Sequence, residues 1–231
     1  MKKNQFVVIG LGEYGFSLAK SLAENGAYVL AVDHDLVRIE EIKNYVDQAI
    51  QFDATNPKLL KEHGIFSADI VIVAIGDSFE PVVLISMELL KAEVGRIIAR
   101  ASSNTEQMIL NKIGVKEVIH PEKDEGVRMA TSLMSSSITD YFKLSDEVGI
   151  FEIEAPKDMI GYSLLDLKIR QRYNLNLLTI KRPKIKESDT EEEVKLYDVL
   201  GVIEPSFKIK EGDKLLLMGA QEAIDKLINT N

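Results

Sequence analysis

The chain of 231 residues contains no cysteine, which excludes disulfides, thiolate metal ligands and a cysteine nucleophile. No stretch approaches the roughly 20 apolar residues that a membrane-spanning helix needs. The formal net charge of −9 lacks the basic excess that favours binding to a phosphate backbone, so nucleic acid is not expected as a partner. Two lysines lead into an apolar run of only four residues, so we expect no signal peptide and a cytoplasmic location.

Most catalytic motifs are absent as well. There is no Gly-x-Ser-x-Gly elbow and no Walker A loop. The three histidines, His34, His63 and His120, are too scattered to form a His-x-x-x-His metal pair. Asp33-His34-Asp35 could be read as a metal cluster, but Asp35 is better explained as the cap of the following helix.

What is present is a strand–turn–helix at the start of the chain. The apolar run 6–9 ends in the pattern Gly10-Leu11-Gly12-Glu13-Tyr14-Gly15, and a helical pattern follows at once. Gly10 permits a tight turn, Gly12 lets the backbone approach a phosphate, and Gly15 allows close packing of helix on strand. The first helix turn offers free N–H groups and a positive dipole end, so this loop predicts a phosphate site.

Further polar and glycine residues follow other predicted strands. Because the carboxyl ends of parallel strands meet at one edge of a sheet, we expect all of them to converge on one crevice. An acid about 20 residues past the glycines is where a ribose is recognised, and Asp33 stands there. The converging residues are Gly10, Leu11, Gly12, Glu13, Tyr14 and Gly15; Asp33 and His34; Asp53, Ala54 and Thr55; Ala74, Ile75, Gly76 and Asp77; and Arg100.

The order of patterns predicts an α/β fold. Strands over 6–9, 28–32, 48–52, 69–75, 96–100 and 117–119 alternate with helices. This alternation is typical of a Rossmann-like, doubly wound parallel sheet, here assigned to residues 1–120. A long helix over 122–141 follows, within a crossover segment assigned to residues 121–144.

The composition changes after residue 144 and predicts a small α+β domain over residues 145–231. Residues 145–149 have the composition of a linker. Strands are expected over 150–154, 175–180 and 214–219, with helices over 164–173 and 220–228. The charged segment 184–195 is expected to be a solvated loop or hairpin tip. This part has no histidine to serve as an acid or base, so the simplest interpretation is a protein that binds a nucleotide and changes shape.

Together these stretches resemble the RCK domains, specifically the cytosolic gating subunits of Ktr/Trk-type bacterial potassium uptake systems. The stretches that carry the resemblance are Phe6-Val7-Val8-Ile9-Gly10-Leu11-Gly12, Ala31-Val32-Asp33, Val71-Ile72-Val73-Ala74-Ile75-Gly76, Lys112-Ile113-Gly114-Val115 and Val118-Ile119-His120-Pro121-Glu122-Lys123-Asp124-Glu125-Gly126. The resemblance covers nearly the whole chain, and the His-Pro-Glu-Lys-Asp motif is far more specific than the glycines.

The resemblance implies an adenine nucleotide, ATP, ADP or NAD(H), in the first domain. Phosphate would lie at Gly10, Gly12 and Gly15, ribose at Asp33, and adenosine beside Asp53 and Thr55, with Arg100 closing the pocket. Glu122 matches an acid that holds a divalent cation at a dimer interface. A homodimer would form through the crossover helix, and dimers would assemble into an octameric ring beneath a membrane potassium-translocating subunit, peripheral to the inner face of the membrane.

The resemblance also implies a cyclic di-AMP site in the second domain, in the region of Leu165, Asp166, Arg170, Asn174 and Ile180. One position departs from the family: Glu13 stands where Ktr-like members commonly carry an arginine that reaches a γ-phosphate. A carboxylate there repels phosphate, which leaves ADP, NAD(H) or an altered ATP mode open. Two alternatives remain: an NAD-dependent oxidoreductase and a free-standing nucleotide receptor.

Overall fold

The computed structural model describes residues 4–134, 137–184 and 196–229. The chain divides into two compact units, Met1–Asp124 and Glu125–Asn231. Among the described residues, no helix combines the length and the apolar character needed to cross a bilayer.

In the first unit, the described strands form a parallel sheet of six in the order β3-β2-β1-β4-β5-β6. The strands are β1 (Gln5–Ile9), β2 (Tyr28–Asp33), β3 (Gln48–Gln51), β4 (Ile70–Val73), β5 (Arg96–Arg100) and β6 (Glu117–Ile119). The strand order reverses between β1 and β4, which is where ligands bind in doubly wound sheets. The predicted fold class is confirmed.

Helices connect the strands and begin at residues suited to the start of a helix. They are α1 (Glu13–Glu24), α2 (Leu36–Ile42), α3 (Pro57–Glu62), α4 (Phe79–Lys91), α5 (Asn104–Ile113) and α6 (Pro121–Met134). Asp35 caps α2 by accepting a hydrogen bond from the Val37 N–H, as predicted. Pro57 occupies the first position of α3, where its missing N–H costs nothing.

The sheet is buried on both faces, which is why its strands are continuously apolar. Val7 and Ile9 pack into one core cluster with Val71, whereas Val8 packs into the other with Ile72. The central strands β1, β2 and β4 are almost entirely buried along their length. Polar residues and glycines occur at the strand ends.

In the second unit, the described strands form an antiparallel sheet in the order β10-β9-β11-β8-β7. Its strands are β7 (Ile138–Lys143), β8 (Gly149–Glu154), β9 (Asn176–Lys184), β10 (Leu196–Val199) and β11 (Lys214–Gly219). The helices are α7 (Leu164–Leu167), α8 (Ile169–Tyr173) and α9 (Gln221–Ile228). Phe151, Ile153, Leu215 and Leu217 form the centre of the core between sheet and helices.

The predicted helix over 122–141 is wrong over its last four residues. Helix α6 ends at Met134, and residues 138–143 form strand β7, which pairs with β8. Ile138 is buried and opposite Ile153, so long-range pairing outweighs the helical spacing of its neighbours.

Two smaller predictions in the second unit are also corrected. Residues 145–148 are the turn between β7 and β8 and not a linker, with the Ser145 hydroxyl accepting from the Glu147 and Val148 N–H groups. The helix over 164–173 is interrupted at Lys168, whose φ of 48° is left-handed. Residues 185–195 of the predicted charged loop lie outside the described residues; Lys184 itself ends β9.

Candidate functional site

A cleft opens at the carboxyl ends of β1, β2, β4 and β5 and at the end of β3. Its empty volume is about 700 Å³, which includes space open to solvent. The predicted residues that line it are Gly10, Gly12, Asp33, His34, Asp53, Ala54, Thr55, Ala74, Ile75, Gly76, Asp77 and Arg100. The expected convergence of strand ends is therefore present in the structure.

The glycine loop at the floor of the cleft needs its glycines for different reasons. Gly10 has φ of +93°, and a Cβ there would lie 2.7 Å from a side-chain carbon of Ile75. A Cβ on Gly15 would lie 1.9 Å from the Gly10 carbonyl oxygen. A Cβ on Gly12 would have no backbone atom of the described residues within 4 Å, and the nearest atom would be Arg38 Nη1 at 3.4 Å. The backbone is thus open at Gly12, at the start of α1, where N–H groups have no intrahelical partner.

Asp33 fixes the loop and the second strand together. Its side chain is buried, with Oδ2 accepting from the Leu11 N–H at 2.6 Å and Oδ1 accepting from the Asp35 N–H at 2.9 Å. His34 is exposed and its Nδ1 lies 3.2 Å from Asp33 Oδ1. A ribose hydroxyl would therefore meet a carboxylate whose position is already set by two backbone donors.

Asp53 is the second acid of the cleft. Its Oδ1 accepts from the Thr55 hydroxyl at 2.7 Å and from the Thr55 N–H at 2.9 Å. These hydrogen bonds, that of the hydroxyl first, hold the pKa of Asp53 below its usual value. The carboxylate is therefore ionised at neutral pH, and both of these hydrogen bonds are to Oδ1, which leaves Oδ2 for a donor such as an adenine amino group.

Arg100 closes the opposite side of the cleft. Its guanidinium packs against Gly76, lies 3.5 Å from the Ala74 carbonyl oxygen and forms an ion pair with Glu122 at the start of α6. It also lies 6.0 Å from the centre of the Tyr14 ring. Burial raises the pKa of Tyr14, with Arg100 acting against that shift and Glu122 adding to it.

Several predicted residues do not line the cleft. Leu11 has a buried side chain, and its N–H donates to Asp33. Glu13 is exposed, and the Tyr14 ring lies beside the Arg100 guanidinium. Arg38 on α2 and an apolar wall also line the cleft, and neither was predicted from the sequence. Arg38 lies five residues past Asp33 in the first turn of a capped helix, and that spacing was the signal available in the sequence.

The five residues predicted to bind a second ligand are in different settings within the second unit. Arg170 lines a shallow pocket with Lys168 and Asn176, and Leu165 is exposed. Asp166 forms a capping box with Ser163, whose hydroxyl and N–H lower the pKa of the acid. Asn174 ends α8 in a left-handed conformation, whereas Ile180 is fully buried. Because it is buried, Ile180 would contribute to such a site only by packing against the residues that line it.

Comparison with known proteins identifies related sequences. The TrkA-N domain matches residues 6–121. Ktr system potassium uptake protein C of Bacillus subtilis (strain 168) is 37% identical over 182 residues, covering 79% of this chain and 82% of that protein. Ktr system potassium uptake protein A of the same organism is 33% identical over 229 residues, covering 99% and 97%. The Vibrio alginolyticus protein A is 30% identical, covering 89% and 94%.

Solved structures show the same fold. The GsuK RCK domain superposes with a TM-score of 0.52 at 20% identity, covering all of this chain and 48% of that one. The TrkA-N domain of the inner membrane protein ybaL from Escherichia coli gives 0.51 at 20% identity, covering 58% and 98%. The chain thus spans about half the length of the GsuK RCK domain structure, and at such identities the likeness concerns the fold alone.

Proposed function

Because the chain belongs to the TrkA-N family and is a homologue of the Ktr potassium uptake proteins, we propose that it is a non-enzymatic, nucleotide-sensing regulatory subunit of a potassium uptake system. The observation that carries this proposal is the cleft in which five strand ends meet over an open glycine backbone. Its groups hold and orient a ligand. Both acids already accept backbone hydrogen bonds, and the exposed His34 is tied to Asp33.

The ligand we propose is an adenine nucleotide, with ADP and NAD(H) fitting better than the usual ATP mode. Phosphates would lie against Gly12 and the first turn of α1, ribose at Asp33, and adenosine beside Asp53 and Thr55. Glu13, at the first position of α1, is exposed and acidic, so it cannot donate to a γ-phosphate. The nucleotide would act by shifting the population between shapes of the assembled protein.

A divalent cation at Glu122 is a further part of the proposal, and one chain does not complete its site. The Glu122 carboxylate pairs with Arg100, and no group of three or more His, Cys, Asp or Glu side chains in the described ranges could hold a metal. The missing oxygen ligands would have to come from nucleotide phosphates or a second copy of the chain. A cation there would compete with Arg100 for Glu122.

We further propose a homodimer, built into an octameric ring, that docks on a membrane potassium-translocating subunit at its cytoplasmic side. Helix α6 supports the dimer, because its described residues include no buried one and its apolar side chains are exposed. A cyclic di-AMP site in the second unit rests on the resemblance of the region around Arg170 and Asn174, with the shallow pocket at Arg170 as its only geometric support.

The test is calorimetry with ADP, ATP, NADH and cyclic di-AMP on the full chain and on the variant Gly12→Ala. Gly12 has an ordinary φ of −62°, so alanine folds there, but the methyl group occupies the space of a phosphate. We expect micromolar binding of at least one adenine nucleotide and a loss of about tenfold or more in the variant.

Gly95→Ala is the matched control, since its Cβ would meet only the Asp69 carbonyl oxygen at 3.7 Å, at the opposite end of β5 from the cleft. It should bind like the unaltered protein. The proposal is rejected if no adenine nucleotide binds, or if Gly12→Ala binds as tightly as Gly95→Ala.

A further inference from the structure

Arg38 lies over the middle glycine of the phosphate loop. It is in the first turn of α2, lines the cleft and has a side chain that is 35% exposed. Its Nη1 is 3.4 Å from the position a Cβ on Gly12 would take and 3.8 Å from Asp33 Oδ2. The guanidinium therefore spans the gap between the ribose acid and the backbone that a phosphate would approach.

The donors of Arg38 are not used within the described part of the chain. The contact to Asp33 Oδ2 at 3.8 Å is too long for a hydrogen bond, and that oxygen already accepts from the Leu11 N–H. No hydrogen bond from Arg38 to any described residue is present. A guanidinium carries five donors in a planar fork, which matches two phosphate oxygens at once.

The charge of the cleft makes Arg38 more important. The arginines that line it are Arg38 and Arg100, and Arg100 is neutralised by Glu122. Position 13, at the edge of the same loop, carries a carboxylate. Arg38 is thus the arginine of the cleft that makes no hydrogen bond to an acid of the described residues, because its ion pair with Asp33, at 3.8 Å, is longer than a hydrogen bond.

We propose that Arg38 binds the 5′-phosphates of the adenine nucleotide directly and determines the preference for nucleotides over the nucleoside. This inference rests on the proposed function of the cleft. A 2′-phosphate is the other phosphate that could reach Arg38, but it would stand against the buried Asp33 carboxylate, and like charges at that distance repel. The 5′-phosphates would lie over Gly12, where the neighbouring acid is the exposed Glu13, whose charge solvent and salt screen.

The experiment compares ADP, 2′-AMP and adenosine by calorimetry on the full chain and on Arg38→Gln and Arg38→Lys. Arg96→Gln is the control. It removes the same charge at the start of β5, where Arg96 is exposed and paired with Glu117. Circular dichroism and thermal melting establish that each variant is folded.

We expect Arg38→Gln to weaken ADP by about tenfold to a hundredfold, the usual effect of losing a charge-assisted hydrogen bond. Adenosine should change by less than about twofold, Arg38→Lys should lie between Arg38→Gln and the unaltered protein, and Arg96→Gln should bind like the unaltered protein. Raising the salt concentration should weaken ADP binding less in Arg38→Gln than in the unaltered protein.

Three results would overturn the assignment. Equal losses for ADP and adenosine would mean that Arg38 only positions Asp33. An unchanged ADP affinity would mean that Arg38 does not contact the ligand. A loss confined to 2′-AMP would place the contact at the ribose. If the unaltered protein bound neither ADP nor adenosine, the proposed function would fail first and the role of Arg38 with it.

Discussion

Single residues in the cleft act on more than one neighbour. Asp33 holds the glycine loop through one oxygen and the start of α2 through the other. Arg100 joins the end of β5 to the start of α6 through Glu122 and covers Gly76. A phosphate that attracted Arg100 would have to compete with Glu122, so a ligand in the cleft would be coupled to the first turn of α6.

In the second unit, Glu152 likewise contacts several neighbours at once. Burial would raise the pKa of this side chain, but hydrogen bonds from Lys181, Thr139 and Lys214 outweigh burial and lower the pKa to about 2. The carboxylate thus bridges β8 to β9, β11 and β7 on the outer face of the sheet.

This arrangement predicts a pH dependence of stability. The folded pKa of Glu152 lies below its ordinary value of 4.5, so the contribution is complete above that value and is lost as the pH falls towards 2. Glu152→Gln should lower the melting temperature of the second unit at pH 7, and the difference from the unaltered protein should shrink between about pH 4.5 and pH 3.

Glu154→Gln, two residues along the same strand and exposed, is the control and should melt like the unaltered protein throughout. A difference between Glu152→Gln and the unaltered protein that stays constant across this range would contradict the assigned ion cluster.

At the scale of elements, the packing of α1 on β1 determines the shape of the phosphate loop. The helix begins at Glu13 directly after the loop, and Gly15 lies against the Gly10 carbonyl oxygen. A Cβ on Gly15 would lie 1.9 Å from a backbone carbonyl oxygen, so no side-chain movement can relieve the clash.

Gly15→Ala should therefore separate helix from strand. We expect a loss of about 3 kcal/mol or more in the free energy of unfolding of the first unit, a fall in melting temperature of roughly 10 °C. Thermal melting followed by circular dichroism measures it.

Gly95→Ala, directly before β5 in the same unit, is the matched control. Its Cβ would meet only the Asp69 carbonyl oxygen at 3.7 Å, an ordinary van der Waals contact, so stability should stay equal. Equal melting temperatures for the two variants would refute the close packing of α1.

At the scale of the whole molecule, helix α6 carries a group of exposed apolar residues. They are Val127, Met129, Leu133 and Met134. Burying them against a second chain removes apolar surface from water, at about 25 cal/mol for each Å². This is the part of the proposed assembly that the described residues make testable.

Leu133→Asp should break the assembly without unfolding the chain. Leu133 is 77% exposed, so aspartate costs little in one chain but buries an unpaired charge in a dimer. Light scattering after gel filtration should give the unaltered protein the mass of eight chains and the variant a smaller mass.

Val202→Asp, at a side chain that is 99% exposed in the second unit, should leave the mass unchanged. If Leu133→Asp has the same mass as the unaltered protein, α6 is not the dimer contact.

The sequence alone determined the first unit and the position of its cleft. Apolar runs, glycine spacing and helix caps are local signals, and the parallel sheet then places every strand end at one edge. For the same reason Gly10, Asp33, Asp53 and Arg100 could be assigned to a common crevice before any distance was known.

Contacts between residues that are far apart along the chain depend on packing in the folded protein. Residues 138–143 form a strand because they pair with β8, with Ile138 buried opposite Ile153, and local spacing does not encode this pairing. Arg38 lies over Gly12 because α2 packs beside the loop. Glu122 forms an ion pair with Arg100 because β5 ends beside α6. Side-chain direction and pairing are set by packing, so these contacts appear only in the folded chain.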